Sequence, residues 1–204
     1  MGLWTDRLLP RVVDRALRTP EVNARRARTL AGLSGRVLEI GFRSGLNLRH
    51  YPADVQQVLA VEPSDLAWQL AQPRIGKSTP PVERVGLDGA RLPVPDASVD
   101  AVVSTFTLCT VPEVEAALAE IRRVLRPGSK LHFLEHGRAP EESVRRWQRR
   151  LQPLQSRVLG GCRLDRRIDD LVTAAGLEMV ELTTEYGDGP KPFSYLYRGR
   201  AVAA

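Results

Sequence analysis

Apolar positions in this chain follow two rhythms that alternate along most of its length. From residue 6 to 31 the rhythm is helical. "VVDRAL" and "VNARRARTLAGL" set apolar side chains three and four residues apart, with a break near Pro20. Gly32 and Gly35 close this arm. Then "RVLEIGF" reads as a continuously apolar strand and "GLNLRHY" as the opening of a short helix. "QQVLAVEP" predicts a second strand and "SDLAWQLAQPR" a helix; "PVERVGLDG" holds a short third strand. "SVDAVVSTFTLC" is a fourth strand, β-branched and very apolar. "PEVEAALAEIRRVLRPG" is a helix with Pro at its start and Pro-Gly at its end. "KLHFLEHG" gives a fifth strand, and "PEESVRRWQRRLQPLQSRVL" a basic helix interrupted at Pro153. "LDRRIDDLVTAAGL" is a helix ending at Gly176, and "EMVELTTEYG" and "FSYLYRGRAVA" are two closing strands.

Buried strands alternating with helices imply a parallel sheet covered on both faces. No helix is expected between the last two strands, so that pair should be antiparallel. The fold class is therefore α/β: a doubly wound, mostly parallel, seven-stranded sheet ending in an antiparallel hairpin. Residues 1–34 are expected to form a helical arm or lid, and residues 35–204 a single core domain. Ligands on such sheets bind outside the carboxyl ends of the strands, where strand order reverses. The functional loops should thus follow Phe42, Glu62, Leu87, Cys109 and Glu135.

Three of these loops carry chemistry suited to a nucleoside. In "EIGFRSGLN", Gly41 lets the chain turn directly after the strand, and Gly45 opens the next element, where free backbone N–H groups can face a ligand. "VLAVEP" ends in Glu62, about 20 residues past the glycine turn, where a carboxylate can accept bonds from both ribose hydroxyls and would repel a 2′-phosphate. "GLDGARLPVP" offers Asp88 to an exocyclic amine such as the adenine N6, with Gly89 allowing backbone to approach the ring. The plainer readings are an empty strand-to-helix turn, an exposed strand-end carboxylate and a turn Asp.

Composition narrows the class without deciding it. Hydrophobic residues are 43% and charged residues 26% of 204, an ordinary globular balance. No apolar run approaches the roughly 20 residues needed to span a bilayer, and "MGLWTDRLLPRVVDRALR" has no signal-peptide core, so cytoplasmic residence is expected. The net charge of +6 is carried mainly by Arg at helical spacing, which reads as solvated face rather than a nucleic-acid site. Cys109 and Cys162 form neither a metal box nor a CxxC pair, and buried free thiols are the expectation, with no metal.

Together, "VLEIGFRSG", "VLAVEPS", "LDGARLPVPDASVDAVVSTFTLCTV" and "AEIRRVLRPGSKLHFLEHG" resemble class I S-adenosylmethionine-dependent methyltransferases of the small-molecule type. The likeness covers residues 35 to 203. "NLRHYP", "TLCTV", "FLEHG" and "LQPLQSRVLGGCRLDRRIDDLVTAAGLEMVEL" resemble the branch holding the animal methyltransferase-like thiol S-methyltransferases and their bacterial relatives. The animal proteins carry a hydrophobic N-terminal membrane anchor, for which this sequence shows no apolar run. The resemblance implies a Rossmann-like fold, S-adenosylmethionine as cofactor and S-adenosylhomocysteine as product. It implies that Glu39 holds the loop or the methionine amino group, that Gly41 and Gly45 frame the methionine and ribose, and that Asn47 belongs to the cofactor site. Glu62 with Pro63 would take the ribose, Asp88 and Gly89 the adenine, and backbone at Thr105 and Phe106 the methionine moiety.

One position departs from the pattern: Arg43 stands where the family has Gly. Either positive φ is needed there, at a cost of roughly 1–2 kcal/mol, and binding is weakened. Or the guanidinium leads out of the pocket to meet the methionine carboxylate or an acidic substrate. Ser129 in "RPGSK" is a milder departure.

Methyl transfer needs positioning and dryness more than a strong base when the acceptor is a thiol or carboxylate. Acceptor-side expectations are Tyr51 and His136 as catalytic candidates, and Leu108, Cys109, Arg138 and Trp147 as substrate contacts. For His136 the alternative is a structural histidine, and for Trp147 one packed inward on a basic helix. The expected partner is a small, lipophilic acceptor with an acidic or thiol head, with no nucleic acid, the protein being a monomer or homodimer. A catalytically inactive cofactor-binding relative is the second reading. An NAD-dependent oxidoreductase is the third, against which the glycine turn lacks GxGxxG spacing.

Overall fold

The computed structural model describes residues 8–158 and 160–203, so the first seven residues of the expected arm lie outside it. Strands β1 (Gly35–Ile40), β2 (Val55–Val61), β3 (Val82–Gly86), β4 (Val99–Thr105), β5 (Leu125–His136), β6 (Leu177–Tyr186) and β7 (Tyr195–Ala203) form one sheet. Their order is β3-β2-β1-β4-β5-β7-β6. The first five run parallel, while β7 pairs antiparallel with both β5 and β6. The chain leaves β1 toward β2 on one side and returns to β4 on the other. The order therefore reverses at the carboxyl ends of β1 and β4, which opens a crevice there.

The arm is α1 (Leu9–Ala16) and α2 (Pro20–Leu30), parted near Pro20; Thr19 caps α2 by accepting from the Val22 N–H. Helices α3 (Asp65–Ile75), α4 (Val114–Val124), α5 (Glu142–Val158) and α6 (Ile168–Ala174) follow. Side chains alternate across a strand, so β1 and β4 feed two cores. Val37, Ala101 and Val103 pack with Leu30 and Leu33 at the end of the arm and with Ala71 of α3. Leu38, Ile40 and Val102 pack with Leu118 and Ile121 of α4 and Val172 of α6. This parity sends Glu39 and Thr105 to the α2 side of the sheet.

Three local expectations are corrected. "GLNLRHY" forms a 3-10 turn at Leu48–His50, because Asn47 turns its side chain into the protein and Tyr51 is already extended. The basic helix is not interrupted: Pro153 lies inside α5 on an exposed face, at the cost of one backbone bond. A helical turn, α7 (Lys191–Ser194), stands between the last two strands without altering their antiparallel pairing. Among the described residues no helix is long and apolar enough to cross a membrane.

Candidate active site

A cavity of about 380 Å³ lies over the crevice between β1 and β4. Its floor contains Glu39, Gly41, Arg43, Glu62, Pro63, Asp88, Gly89 and Thr105. Its opposite wall is mostly apolar, with Leu9, Val13 and Leu17 from the arm and Val111 and Pro112 from the loop after β4, beside Asp14 and Thr110. The sequence-expected cofactor loops thus converge on one space.

The turn after β1 is built by close approach. Gly41 has φ +70°, and a Cβ there would fall 2.0 Å from Thr107 Oγ1, so no other residue fits. Arg43 also lies in the left-handed region, at φ 51°. Its N–H donates to Glu62 Oε2 at 2.6 Å, while Ser64 N–H donates to Oε1 at 2.7 Å. Glu62 therefore stitches two loops together and still has acceptor lone pairs to spare. Burial raises its pKa above the usual carboxylate value, with backbone bonds from Ser64 and Arg43 opposing. The Arg43 guanidinium donates to the carbonyl of Phe106 at 3.1 Å, and Phe106 is itself left-handed, at φ 55°. Asp88 accepts from the Ala90 N–H at 2.8 Å, closing its own turn at the cavity edge.

Behind the turn is a buried polar knot. Asn47 donates to Glu39 Oε1 at 2.9 Å and to Thr105 Oγ1 at 3.0 Å, and Tyr51 donates to Glu39 Oε2 at 2.7 Å. Arg26 of α2 reaches in and donates to Asn47 Oδ1 at 2.7 Å and to Thr105 Oγ1 at 2.8 Å. Burial pushes the Glu39 carboxyl up to about 7, against its bond from Tyr51 and the charge of Arg26. Burial likewise lowers Arg26 to about 10, opposed by Glu39. Both Arg26 and Arg43 keep a buried Nε with no hydrogen-bond partner. Two half-satisfied guanidiniums on a cavity wall suit an anionic group such as a carboxylate.

The arm is tied across this site. Asp14 of α1 accepts from Ser44 Oγ at 2.6 Å and pairs with Arg74 of α3 at 3.0 Å and with Arg18. Arg74 also donates to the Ser44 carbonyl at 2.5 Å. The loop after β4 hangs on Glu135, which is fully buried. It accepts from Ser104 Oγ at 2.7 Å, Thr107 N–H at 3.0 Å and Cys109 N–H at 3.1 Å.

Other expected site residues sit elsewhere. Gly45 and Tyr51 border a second, more basic recess, and Asn47 is sealed inside the knot. Phe106 shows the cavity only its role as acceptor for Arg43; its ring packs on His136 with centroids 4.9 Å apart and lies 5.4 Å from the Arg26 guanidinium. His136, Leu108, Cys109, Arg138 and Trp147 do not line the cavity. Leu108 and Cys109 of the loop after β4 are wholly buried, and Arg138 is an exposed loop residue. Trp147 is 53% exposed on α5, with Arg150 over its ring, so it is not packed inward. His132 donates from Nδ1 to the Thr29 carbonyl at 2.7 Å, and His50 contacts Asn23, which leaves both with structural partners. Arg26, Asp14, Ser44 and Thr107 were missed by sequence reasoning. The arm is rich in Arg, and nothing in its rhythm marks which one is buried.

A family description, "Methyltransferase domain", matches residues 38–133. Thiol S-methyltransferase TMT1B of Rattus norvegicus is 33% identical over 175 residues, covering 82% of this chain and 69% of that protein. The chain belongs to the class I S-adenosylmethionine-dependent methyltransferases. Its cofactor is S-adenosylmethionine, and a small-molecule methyl acceptor is consistent with the family. The human TMT1B is 36% identical over 145 residues, covering 67% of this chain and 58% of that protein, so the methyltransferase spans roughly two thirds of these relatives' length. Geranyl diphosphate methyltransferase in complex with SAM has the same fold, with a TM-score of 0.68, 13% identity, and coverage of 94% and 95% of the two chains.

Proposed function

We propose that this methyltransferase acts on a small lipophilic acceptor that ionises without a strong base, a thiol foremost and a carboxylate such as a fatty acid next. The observation that carries this reading is the make-up of the cavity wall. Opposite the charged floor it is mostly apolar, and among the described residues no histidine or lysine lines it. On the floor, burial raises Glu39 to about 7, but both its oxygens are engaged by Asn47 and Tyr51, and Asp14 of the arm is engaged by Ser44 and Arg74. An alcohol or phenol would lack a base here; a thiol or carboxylic acid loses its proton to solvent. The names of the TMT1B relatives favour sulfur.

The residues divide the cofactor as follows. Arg26 and Arg43 would meet the methionine carboxylate by re-aiming their guanidinium forks, and Glu39 would favour the ammonium. Glu62 takes the ribose diol beside Pro63, and Asp88 with Gly89 takes the adenine edge. Bound cofactor supplies a methyl group activated by a cationic sulfur. Held by these residues, it would offer that methyl group to a thiolate or carboxylate acceptor resting against the apolar wall. Leu9, Val13 and Leu17 exclude water from this event.

Incubation with radiolabelled cofactor and two acceptor sets, lipophilic thiols and fatty acids, tests the reading. Label should pass to the thiols, with less or none to the acids; transfer to neither set would sink the proposal. A second reading, a binding relative with weakened catalysis, is favoured by the strained Arg43. A thermal shift with S-adenosylhomocysteine separates the two. Ligand at 100 times its dissociation constant stabilises by roughly 2.7 kcal/mol, and a shift seen only after Arg43→Gly supports the second reading.

A further inference from the structure

Outside the cavity, Cys109, His136 and Cys162 bring their ligand atoms within 4.8 Å of one another. The two Sγ atoms are 3.7 Å apart. A tetrahedral zinc ion with Zn–S bonds of about 2.3 Å has an S···S edge of roughly 3.8 Å. We propose that these three side chains form a zinc site that clamps the acceptor-side loops together.

Three independent elements supply the donors. Cys109 comes from the loop after β4, His136 from the end of β5, and Cys162 from the loop between α5 and α6. The cysteine loops are held in place by other bonds: Arg163 N–H donates to the Cys109 carbonyl at 2.7 Å, and Gln152 donates to the Cys162 carbonyl at 2.9 Å. Cys109 is further fixed by its N–H to Glu135. The site is thus preorganised by contacts that do not use its ligand atoms. Two thiolates and a neutral imidazole are a donor set that favours zinc over harder cations. Binding exchanges two thiol protons for one divalent ion, leaving no net charge in a buried place. Three protein donors leave a fourth position for water or an added soft donor, reached from His136, the partly exposed member. Each cysteine loop also contributes to the cavity wall, through Thr107 and Thr110 on one side and Gly160 on the other. Metal occupancy would therefore set the spacing of the two loops that bound the acceptor end.

The test is metal binding by the whole chain under reducing conditions. Chelator-treated protein is titrated with zinc against a chromophoric chelator, then loaded anaerobically with Co²⁺ in place of zinc. We expect one zinc per chain and a thiolate-to-cobalt charge-transfer band with tetrahedral visible bands. Cys162→Ser and, separately, His136→Gln should each weaken zinc binding by more than the roughly 10–100-fold typical of losing an outer-shell partner. Circular dichroism confirms that each variant is folded, and the pair guards against either one failing to fold. Zinc should raise the melting temperature of the wild type and leave that of Cys162→Ser unmoved. No uptake, a cobalt spectrum without a thiolate band, or uptake unchanged in both variants would each overturn the site.

Discussion

Arg43 and Phe106 hold each other in place across the cavity floor: the Arg43 guanidinium donates to the Phe106 carbonyl, and both residues are left-handed, at φ 51° and 55°. Strain at one end of this link is held by its partner at the other, and the pair joins the first and fourth strand-end loops. Arg43→Gly relieves roughly 1–2 kcal/mol of strain but adds chain entropy of about 0.5–1 kcal/mol and loses a hydrogen bond. The terms offset, so its stability should stay within about 1 kcal/mol of the wild type. Arg43→Ala keeps the strain and still loses the bond, and should be roughly 1 kcal/mol less stable than Arg43→Gly. Urea unfolding of both variants checks the order; the reverse order would contradict the strained geometry. Loss of a charge-assisted contact worth about 1.5–3 kcal/mol should also weaken S-adenosylhomocysteine binding about tenfold to a hundredfold in both variants.

Glu39 should make stability and cofactor affinity depend on pH in opposite senses. Its carboxyl titrates at about 7 in the folded protein against 4.5 ordinarily, because it is buried. Between those values the folded state holds more protons than the unfolded one. Stability therefore falls as pH rises through that window and levels off above about pH 7. The contribution is on the order of 3 kcal/mol, read as the difference between wild type and Glu39→Gln across the window. A bound cation beside Glu39 favours its ionised form. Binding should then release a proton below pH 7, and affinity should rise up to that pH. Calorimetry at pH 6.5 in two buffers of different ionisation enthalpy measures the release; Glu39→Gln should abolish it, and an equal release in the variant would remove Glu39 from the account.

Asp14 is the latch of the arm, joined to Ser44 in the glycine turn and to Arg74 of α3. Asp14→Ala removes the acceptor of the Ser44 hydroxyl and the ion-pair partner of Arg74 and Arg18, though Arg74 keeps its bond to the Ser44 carbonyl, and should cost about 1–3 kcal/mol. The loss should appear locally. Hydrogen exchange of residues 9–30 should quicken more than that of the β1–β4 strands, and the acceptor KM should rise more than kcat falls. Uniform quickening across the sheet would show that Asp14 supports the whole fold instead.

The legible parts of this protein are those that repeat or punctuate. Strands buried on both faces write themselves as apolar runs, so β1, β2, β4 and β5 stand out; the end of β2 names Glu62, and the turn after the short β3 names Asp88, as neighbours of the glycine turn. What stays hidden depends on long-range pairing. Arg26 looks like any arginine of a solvated helix, yet it alone of its run turns toward Asn47 and Thr105, the latter 79 residues away. Cys109 and Cys162 lie 53 residues apart, and only the packing of the α5–α6 loop brings their sulfurs together. His136 has the right residue type and stands at the right strand end. It faces the cysteines and Phe106 rather than the cavity, a choice of side that periodicity at a strand terminus does not record.

Glu135 gives the sharpest test of how the fourth-strand loop is held. Its two oxygens accept from one hydroxyl and two backbone N–H groups, and the residue is fully buried. Glu135→Gln is nearly isosteric, so packing is spared. However, the amide turns one acceptor into a donor that must face another donor, whichever way it flips. With Oε1 kept, the Cys109 N–H faces the new NH₂; with Oε2 kept, the Ser104 hydroxyl can rotate away but the Thr107 N–H cannot. One buried N–H is left unpaired in either case, at about 1–3 kcal/mol. For a chain of this size that lowers the melting temperature by about 2–4 °C per kcal/mol. Because Thr107 packs against Gly41, the loss should pass to the glycine turn and weaken S-adenosylhomocysteine binding as well. Calorimetric melts with and without S-adenosylhomocysteine measure both effects in one experiment. A variant as stable as the wild type, with undiminished ligand shift, would mean that the loop is held by its surroundings and not by Glu135.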